Sequence, residues 1–230
     1  MTARIESIQV GRSQSFDSEG DSSKPWSSAI IKHTVEGSVL VGATGIDGDE
    51  QADLQHHGGR DKAILASSSA HYPFWTARYA ESGFIAGGFG ENLTISGMDE
   101  TTCCIGDVFE IGGCRLEVSQ PRQPCWKLSR RWGIPRLAVE VQEERRTGWY
   151  LRVLQQGQLQ AGVPIVLSER RNPERTVAWA LSVMYANPRC SSDDLRLARF
   201  PQLSESWKKN LEARATLGLS IDDGKRLKGG

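Results

Sequence analysis

IGDVFEIGGCRLEVSQPRQPCWKL, residues 105–128, decides the fold. Two short runs of β type, 107–111 and 115–120, flank the turn signal Gly112-Gly113, the pattern of a hairpin. The second run enters a loop in which Pro121 and Pro124 stiffen the backbone and deny it donors, so the loop has one preferred shape. Working outward, further strands are predicted at 4–10, 29–35, 62–66, 149–154 and 164–167, with turns at Glu36-Gly37, Asp47-Gly48, Gly87-Gly88 and Gly157. Helices are predicted at 70–81, where aromatics cluster, and at 135–146, where Leu137 and Val141 mark one apolar face. Many short strands, dense turns and few helices predict a mainly β fold with α additions, an irregular β-barrel with inserted helices.

The character of the chain changes after Ser168. Asn172-Pro173 is the expected start of a helix, with Val177, Leu181 and Met184 on one face. Ser191 or Ser192 is the expected cap of a second helix running through Leu195 and Ala198. Ser204 caps a third, through Trp207, Leu211 and Ala215, which Gly218 ends. The predicted division is a β domain over 1–168 and a three-helix C-terminal module over 169–230, with 219–230 frayed. The module carries 12 Lys and Arg against 8 Asp and Glu, which leaves it mildly basic. A packing or dimer module is the preferred reading, and a homodimer is the assembly it suggests.

A length of 230 residues fits one large domain or one domain with an appendage. Lys plus Arg and Asp plus Glu both number 28, so the formal charge is zero, which excludes a general nucleic-acid binder. With 38% hydrophobic and 24% charged residues, wholesale disorder is excluded too. No run approaches the ~18 apolar residues of a membrane span. The start, MTARIESIQV, reads as a strand and not as a signal peptide. A cytoplasmic protein with no membrane partner is expected. The five cysteines are odd in number and contain no CxxC, so they read as reduced thiols. The neighbours Cys103 and Cys104 are expected on opposite faces of a strand, where they are poor joint ligands.

Four segments carry residue types suited to chemistry. In His56-His57-Gly58-Gly59-Arg60-Asp61-Lys62-Ala63 the glycines let backbone approach a ligand, and the side chains supply donors and a proton carrier. A simple polar turn is the plain alternative, and two histidines alone do not make a zinc site. Gly88-Phe89-Gly90-Glu91-Asn92-Leu93 offers a Glu-Asn pair that hydrogen-bonds either a heterocycle edge or its own turn. From Gln120 to Arg136 there are five Lys and Arg (Arg122, Lys127, Arg130, Arg131, Arg136) and no acid around Cys125. Cations favour the thiolate, a soft metal ligand and nucleophile, and can hold a phosphate. The alternative is an inert cysteine beneath a solvated basic face. Lys24, ahead of the run 25–32, binds an anion or sits in water.

Taken in order, KPWSSAIIK (24–32), HHGGRDKAI (56–64), HYPFW (71–75), GGFGENLTISGMDE (87–100), IGDVFEIGG (105–113) and SQPRQPCWKL (119–128) resemble the MOSC domain family. The likeness is in particular to its stand-alone bacterial YiiM-like branch, linked to resistance against N-hydroxylated bases such as 6-N-hydroxylaminopurine. It covers residues 4–168, and the tail is similar to the three-helix extension of that branch. The resemblance implies a barrel-like core holding a molybdenum cofactor, molybdenum–molybdopterin, with Cys125 as metal ligand. It puts His57, Gly58 and Gly59, then Asp61 and Lys62, at the family's HGG position. Gly90, Glu91 and Asn92 fall at its GEN segment. Gln120, Pro121, Arg122, Pro124, Cys125 and Lys127 fall in its cysteine loop, with Lys24 and Ser28 ahead of them. His57 is favoured over His56 because it directly precedes the glycines. LASSS at 65–69 departs from relatives with more aromatic or charged residues there, which bears on the substrate.

The activity implied is reduction of an N-hydroxylated base to its amino form. Turning N–OH into N–H takes two electrons and two protons and removes one oxygen atom. Cys125 is the expected metal ligand and catalytic residue. Arg122, Lys127 and Lys24 are expected to hold the cofactor anion, with Ser28, Gly58, Gly59, Asp61, Lys62, Asn92 and Gln120 in its site. His57 or Glu91 is expected to deliver protons. The chain has no GxGxxG, flavin motif or CxxC iron–sulfur set, so a partner flavin or iron–sulfur reductase is expected to supply electrons, with the basic tail as its docking face. The alternative is a non-catalytic carrier of sulfur, as a Cys125 persulfide, or of molybdenum cofactor. A structural protein whose cofactor site has decayed is the third reading.

Overall fold

The computed structural model describes residues 2–17, 25–53, 58–218 and 223–229. Its strands, among the described residues, are β1 (Arg4–Val10), β2 (Gln14–Phe16), β3 (Trp26–Ser28), β4 (His33–Thr34), β5 (Ser38–Gly42), β6 (Gly45–Ile46), β7 (Ile64–Ser68), β8 (Leu93–Ser96), β9 (Val108–Ile111), β10 (Cys114–Pro121), β11 (Trp149–Gln155), β12 (Gly157–Gln160) and β13 (Ile165–Glu169). The helices are α1 (His71–Arg78), α2 (Trp126–Trp132), α3 (Leu137–Glu143), α4 (Val177–Met184), α5 (Ser191–Ala198), α6 (Glu205–Leu217) and α7 (Asp223–Lys228), with a single 3-10 turn at Arg60–Lys62.

Eight strands form one sheet in the order β13-β9-β10-β11-β7-β8-β1-β4. All its pairs are antiparallel except β7 with β8. The sheet curls so that its two ends approach. Ile5 N donates to Val163 O at 3.1 Å, Gly162 N donates to Ile5 O at 2.7 Å, and Arg4 bridges Pro164 just ahead of β13. This is an irregular curled sheet, a half-barrel, as the dense strands and turns predict. Side-chain alternation explains why it holds. In β11, Trp149, Leu151 and Val153 point into the core while Tyr150 and Arg152 face the other way.

The core inside the curl does not end with the sheet. Ile5, Ile64, Leu93, Leu116 and Trp149 share one apolar cluster with Val177, Leu181, Trp207 and Leu211 from α4 and α6. Each fully buried side chain of this size contributes about 1.5–3 kcal/mol. A second cluster lies among α1, α2, α3 and α7, built from Trp75, Phe89, Leu128, Leu137, Val141 and Leu227. The cysteine loop runs between these two cores.

Several expectations need correction. The run 29–35 forms only the two-residue β4, because Ile30 spends its N–H on Ser28 Oγ and its carbonyl on Arg131. Lys62 ends the 3-10 turn, and β7 begins at Ile64. Cys103 and Cys104 lie in a turn-rich segment, with only an isolated bridge from Cys104 to Thr176, and both are buried. Burial raises both thiols above their ordinary range. Asn172 closes a turn by accepting from Arg175 N. α4 starts after Thr176, whose hydroxyl accepts from Trp179 N at 3.0 Å. Cys190, not Ser191 or Ser192, occupies the cap position of α5. Ser204 does cap α6, and Gly218 ends it in the left-handed region at φ 63°. Of the segment expected to fray, 219–222 lie outside the described residues, whereas α7 is an ordered fourth helix of the tail with Leu227 buried.

α5 and α6 are joined by a buried ion pair. Arg214 meets Asp194 at 2.8 Å with the side chains 2% and 3% exposed, and it donates to Met184 O at 2.7 Å. Burial holds the Asp194 carboxyl above its ordinary range and the Arg214 guanidinium below. Removing one partner strands the other charge. Arg214→Met is therefore expected to lower stability by about 3–5 kcal/mol, and the double variant Arg214→Met/Asp194→Leu to recover most of it. Urea unfolding checks both.

Candidate functional site

A cleft opens where the link after β3, the loop after β6, the start of β7, the loop ahead of β8, the loop after β10 and β11 converge. β10 delivers its chemistry. Paired with β9 and β11, the strand leaves the core at Pro121 and releases Arg122 and Cys125 into the cleft wall. Cys125 is half-buried with extended backbone and sits at the cap position of α2, where its carbonyl accepts from Leu128 N at 3.0 Å.

Arg122 is only 6% exposed. One of its amino groups donates to Phe89 O at 2.9 Å, and among the described residues it has no carboxylate partner. A buried guanidinium so placed costs several kcal/mol unless an anion meets it. Lys127 also lines the cleft and reaches Ser27 O at 2.8 Å. Lys62 lines it too. Burial lowers its pKa, and the charges of Asp53 and Asp61 oppose that fall.

Across from these cations stands a neutralised wall. Lys32 pairs with Asp49, which also accepts from Gly11 N at 2.7 Å and from Asn92 Nδ2 at 2.8 Å. Asn92 in turn accepts from Leu65 N at 3.0 Å. Gly90, at φ 82°, faces Ile30 so closely that a Cβ would lie 3.0 Å from its side chain, so glycine is required there. Tyr150 contributes a half-buried phenol to the same cleft. Burial pushes its pKa up to about 12, with Arg122 opposing and Cys125 adding to the rise. The hydroxyl is thus a donor at neutral pH.

The cleft brings together Ser28, Lys62, Asn92, Arg122, Cys125 and Lys127. Lys24, His56 and His57 lie outside the described residues. Other candidates lie outside the cleft lining. Asp61 pairs with Arg152 at 2.6 Å and accepts from Glu205 N at 3.1 Å, tying its turn to α6. Gly58 is half-buried, and the neighbouring Gly59 adopts φ 91° and ψ 171°, a region essentially reserved for glycine. Gln120 is buried between its own loop, through Pro121 O at 3.2 Å, and Ser206 of α6 at 3.3 Å.

Glu91 departs most from its expected part in proton delivery. It is fully buried and does not line the cleft. Its carboxylate accepts from Tyr72 Oη, from Gly87 N at 2.9 Å, from Phe89 N at 3.1 Å and from Thr94 Oγ1 at 3.0 Å. It braces the glycine loop, and burial, joined by the adjacent Glu91 charge, drives the Tyr72 phenol far above its ordinary range. The sequence reading missed Lys32, Asp49 and Tyr150. The alternation in WYLRVLQ marks Tyr150, but no local signal marks the Lys32–Asp49 pair.

Among the described residues no three His, Cys, Asp or Glu side chains gather as a metal site. Cys125 is therefore a single soft donor, suited to a metal that brings other ligands with it.

Known proteins resemble this chain. A family model described as MOSC domain matches residues 53–166. The uncharacterized protein YflK of Bacillus subtilis (strain 168) is 35% identical over 204 residues, 89% of this chain and 90% of its own. Protein YiiM of Escherichia coli (strain K12) is 34% identical over 224 residues, 96% of this chain and 97% of its own. A protein of Gibberella moniliformis (strain M3125 / FGSC 7600) named reductase is 39% identical over 153 residues, 65% of this chain and 27% of its own. The crystal structure of YiiM from Geobacillus stearothermophilus superposes with a TM-score of 0.79 at 33% identity, covering 93% of this chain and 100% of that one.

If Glu91 is a brace, Glu91→Gln turns an amide donor toward donors and is expected to lower stability by about 1–3 kcal/mol. Urea unfolding reads this. A proton donor would instead leave stability unchanged and slow turnover.

Proposed function

The chain belongs to the MOSC domain family, in common with YiiM and YflK, and from that premise we propose that it holds a molybdenum cofactor and reduces N-hydroxylated bases such as 6-N-hydroxylaminopurine to their amino forms. The observation that carries this reading is Arg122, a buried cation with no carboxylate partner among the described residues, in one cleft with the thiol of Cys125. The donor set fits the cofactor. One thiol supplies one soft ligand, and Arg122, Lys127 and Lys62 suit an anionic tail. When bound, the cofactor supplies the two-electron couple that removes the N-oxygen.

Every other part falls to the chain's own residues. Cys125 ligates the metal. Arg122 and Lys127 hold the cofactor's phosphate, and Lys24 joins them. Tyr150 donates a hydrogen bond within the cleft, and His57 carries protons to the leaving oxygen. In balance, R–NHOH with two electrons and two protons gives R–NH₂ and water. Glu91 has no proton role here, because four donors occupy its carboxylate. Electrons come from a separate flavin or iron–sulfur reductase. The name reductase carried by the fungal relative supports a reductive chemistry.

The test is product formation from 6-N-hydroxylaminopurine with an artificial electron donor, using protein from cells grown with molybdate. Product is expected, dependent on molybdate and absent in Cys125→Ala. His57→Ala is expected to lose about 10²–10⁴-fold, the usual contribution of general acid catalysis. Cofactor that passes to an apo-acceptor without any product would replace this reading with that of a carrier.

A further inference from the structure

The loop bearing Cys125 is fastened from behind by the end of the chain. Arg226 of α7 donates one amino group to the carbonyl of Pro124, the residue directly before Cys125. Its other amino group is anchored on Gln142 Oε1 of α3 at 2.6 Å and on Asp223 Oδ1 at 2.7 Å. Leu227 fixes the helix by entering the apolar cluster with Leu128 and Trp75. On either side of the same peptide, Gln123 Nε2 donates to Tyr185 Oη at 3.3 Å, and Gly229 lies so close to Trp126 that a Cβ would sit 3.4 Å from its ring. The three residues flanking the thiol are each held by the segment that follows β13.

We propose that Arg226 is a positioning residue for Cys125, acting through the Pro124–Cys125 peptide, and that the C-terminal helices serve to aim this thiol into the cleft. A guanidinium on that carbonyl fixes the peptide plane, and the plane sets the direction in which the Cys125 side chain leaves the backbone. The tail is thereby given a task beyond packing. The proposal rests on Cys125 being the working thiol of the cleft.

The rate at which iodoacetamide alkylates Cys125 at one fixed pH, followed by mass spectrometry, tests it on the full chain produced without molybdate. A Cys190→Ser background removes the exposed thiol, and Cys103, Cys104 and Cys114 are buried. The charged and titratable groups sharing the cleft, namely Arg122, Lys127, Lys62, Asp53, Glu50 and Tyr150, with Lys32 and Asp49 paired to each other, stay unchanged in every variant. Arg226→Ala is expected to slow the reaction roughly threefold, as a misaimed thiol would. Arg226→Lys, which keeps a donor for the Pro124 carbonyl, is expected to restore most of the rate. Lys225→Ala removes the same charge from an exposed site on the same helix and is expected to change nothing. Arg226→Gln serves the same comparison should the alanine variant not fold. A rate for Arg226→Ala or Arg226→Gln equal to the parent's, or an equal slowing in Lys225→Ala, overturns the proposal. Because no cofactor takes part, failure of the molybdenum reading would appear separately, as protein that binds no metal while the difference in alkylation rate persists.

Discussion

Burying a guanidinium away from water, with a carbonyl but no carboxylate to meet it, is unfavourable by several kcal/mol. Arg122 is held in this state by two carbonyl contacts, through its own N–H to Gly148 O at 3.0 Å and its side chain to Phe89 O at 2.9 Å. The other buried arginine among the described residues, Arg214, has Asp194 for company. Arg122 lacks such a counter-charge among the described residues. Around Arg122 the fold places a second and third cation and a thiol, while the acids of the opposite wall are matched internally, Asp49 by Lys32 and Asn92. The cleft therefore sets Arg122, a cation with no carboxylate partner among the described residues, in the same lining as Cys125.

Two cores make this arrangement rigid. The curled sheet and α4 to α6 share the larger one, and α1 to α3 with α7 share the smaller. β10 spans the distance between them. The register shift between Val118 and Gln120 turns Ser119 toward the tail, where its carbonyl accepts from Ser204 N at 3.0 Å. The tail then reaches the site three more times, from Glu205 to Asp61, from Ser206 to Gln120 and from Arg226 to Pro124. These contacts fasten the tail to the loops that frame the cleft.

What could be read from the sequence was what local physics decides. β1 occupies the residues its alternation marks, and Ser204 with Gly218 bounds α6, because a cap and a left-handed stop act within four residues. The segment 29–35 could not be read. Its backbone partners include Arg131, 101 residues away, and no pattern in the run betrays that. Thr176 caps α4 because the preceding Asn172-Pro173 closes a turn of its own, two local signals in competition. In the cleft, the loop prolines and surrounding cations drew attention to Cys125 and Arg122, and the two do share one wall. Glu91 has the right side chain for acid chemistry, and only the folded glycine loop reveals four donors around it. Tyr150 was open to the period-two pattern of β11, whereas the Lys32–Asp49–Asn92 chain is a product of tertiary pairing alone.

The account is tested most directly by counting molybdenum and pterin per chain in protein from molybdate-grown cells, in parallel for the parent and Arg122→Gln. It predicts close to one of each per parent chain and nearly none for the variant, with the variant's empty form at least as resistant to unfolding because a buried charge has been removed. Equal cofactor in both proteins, or none in the parent, would contradict it.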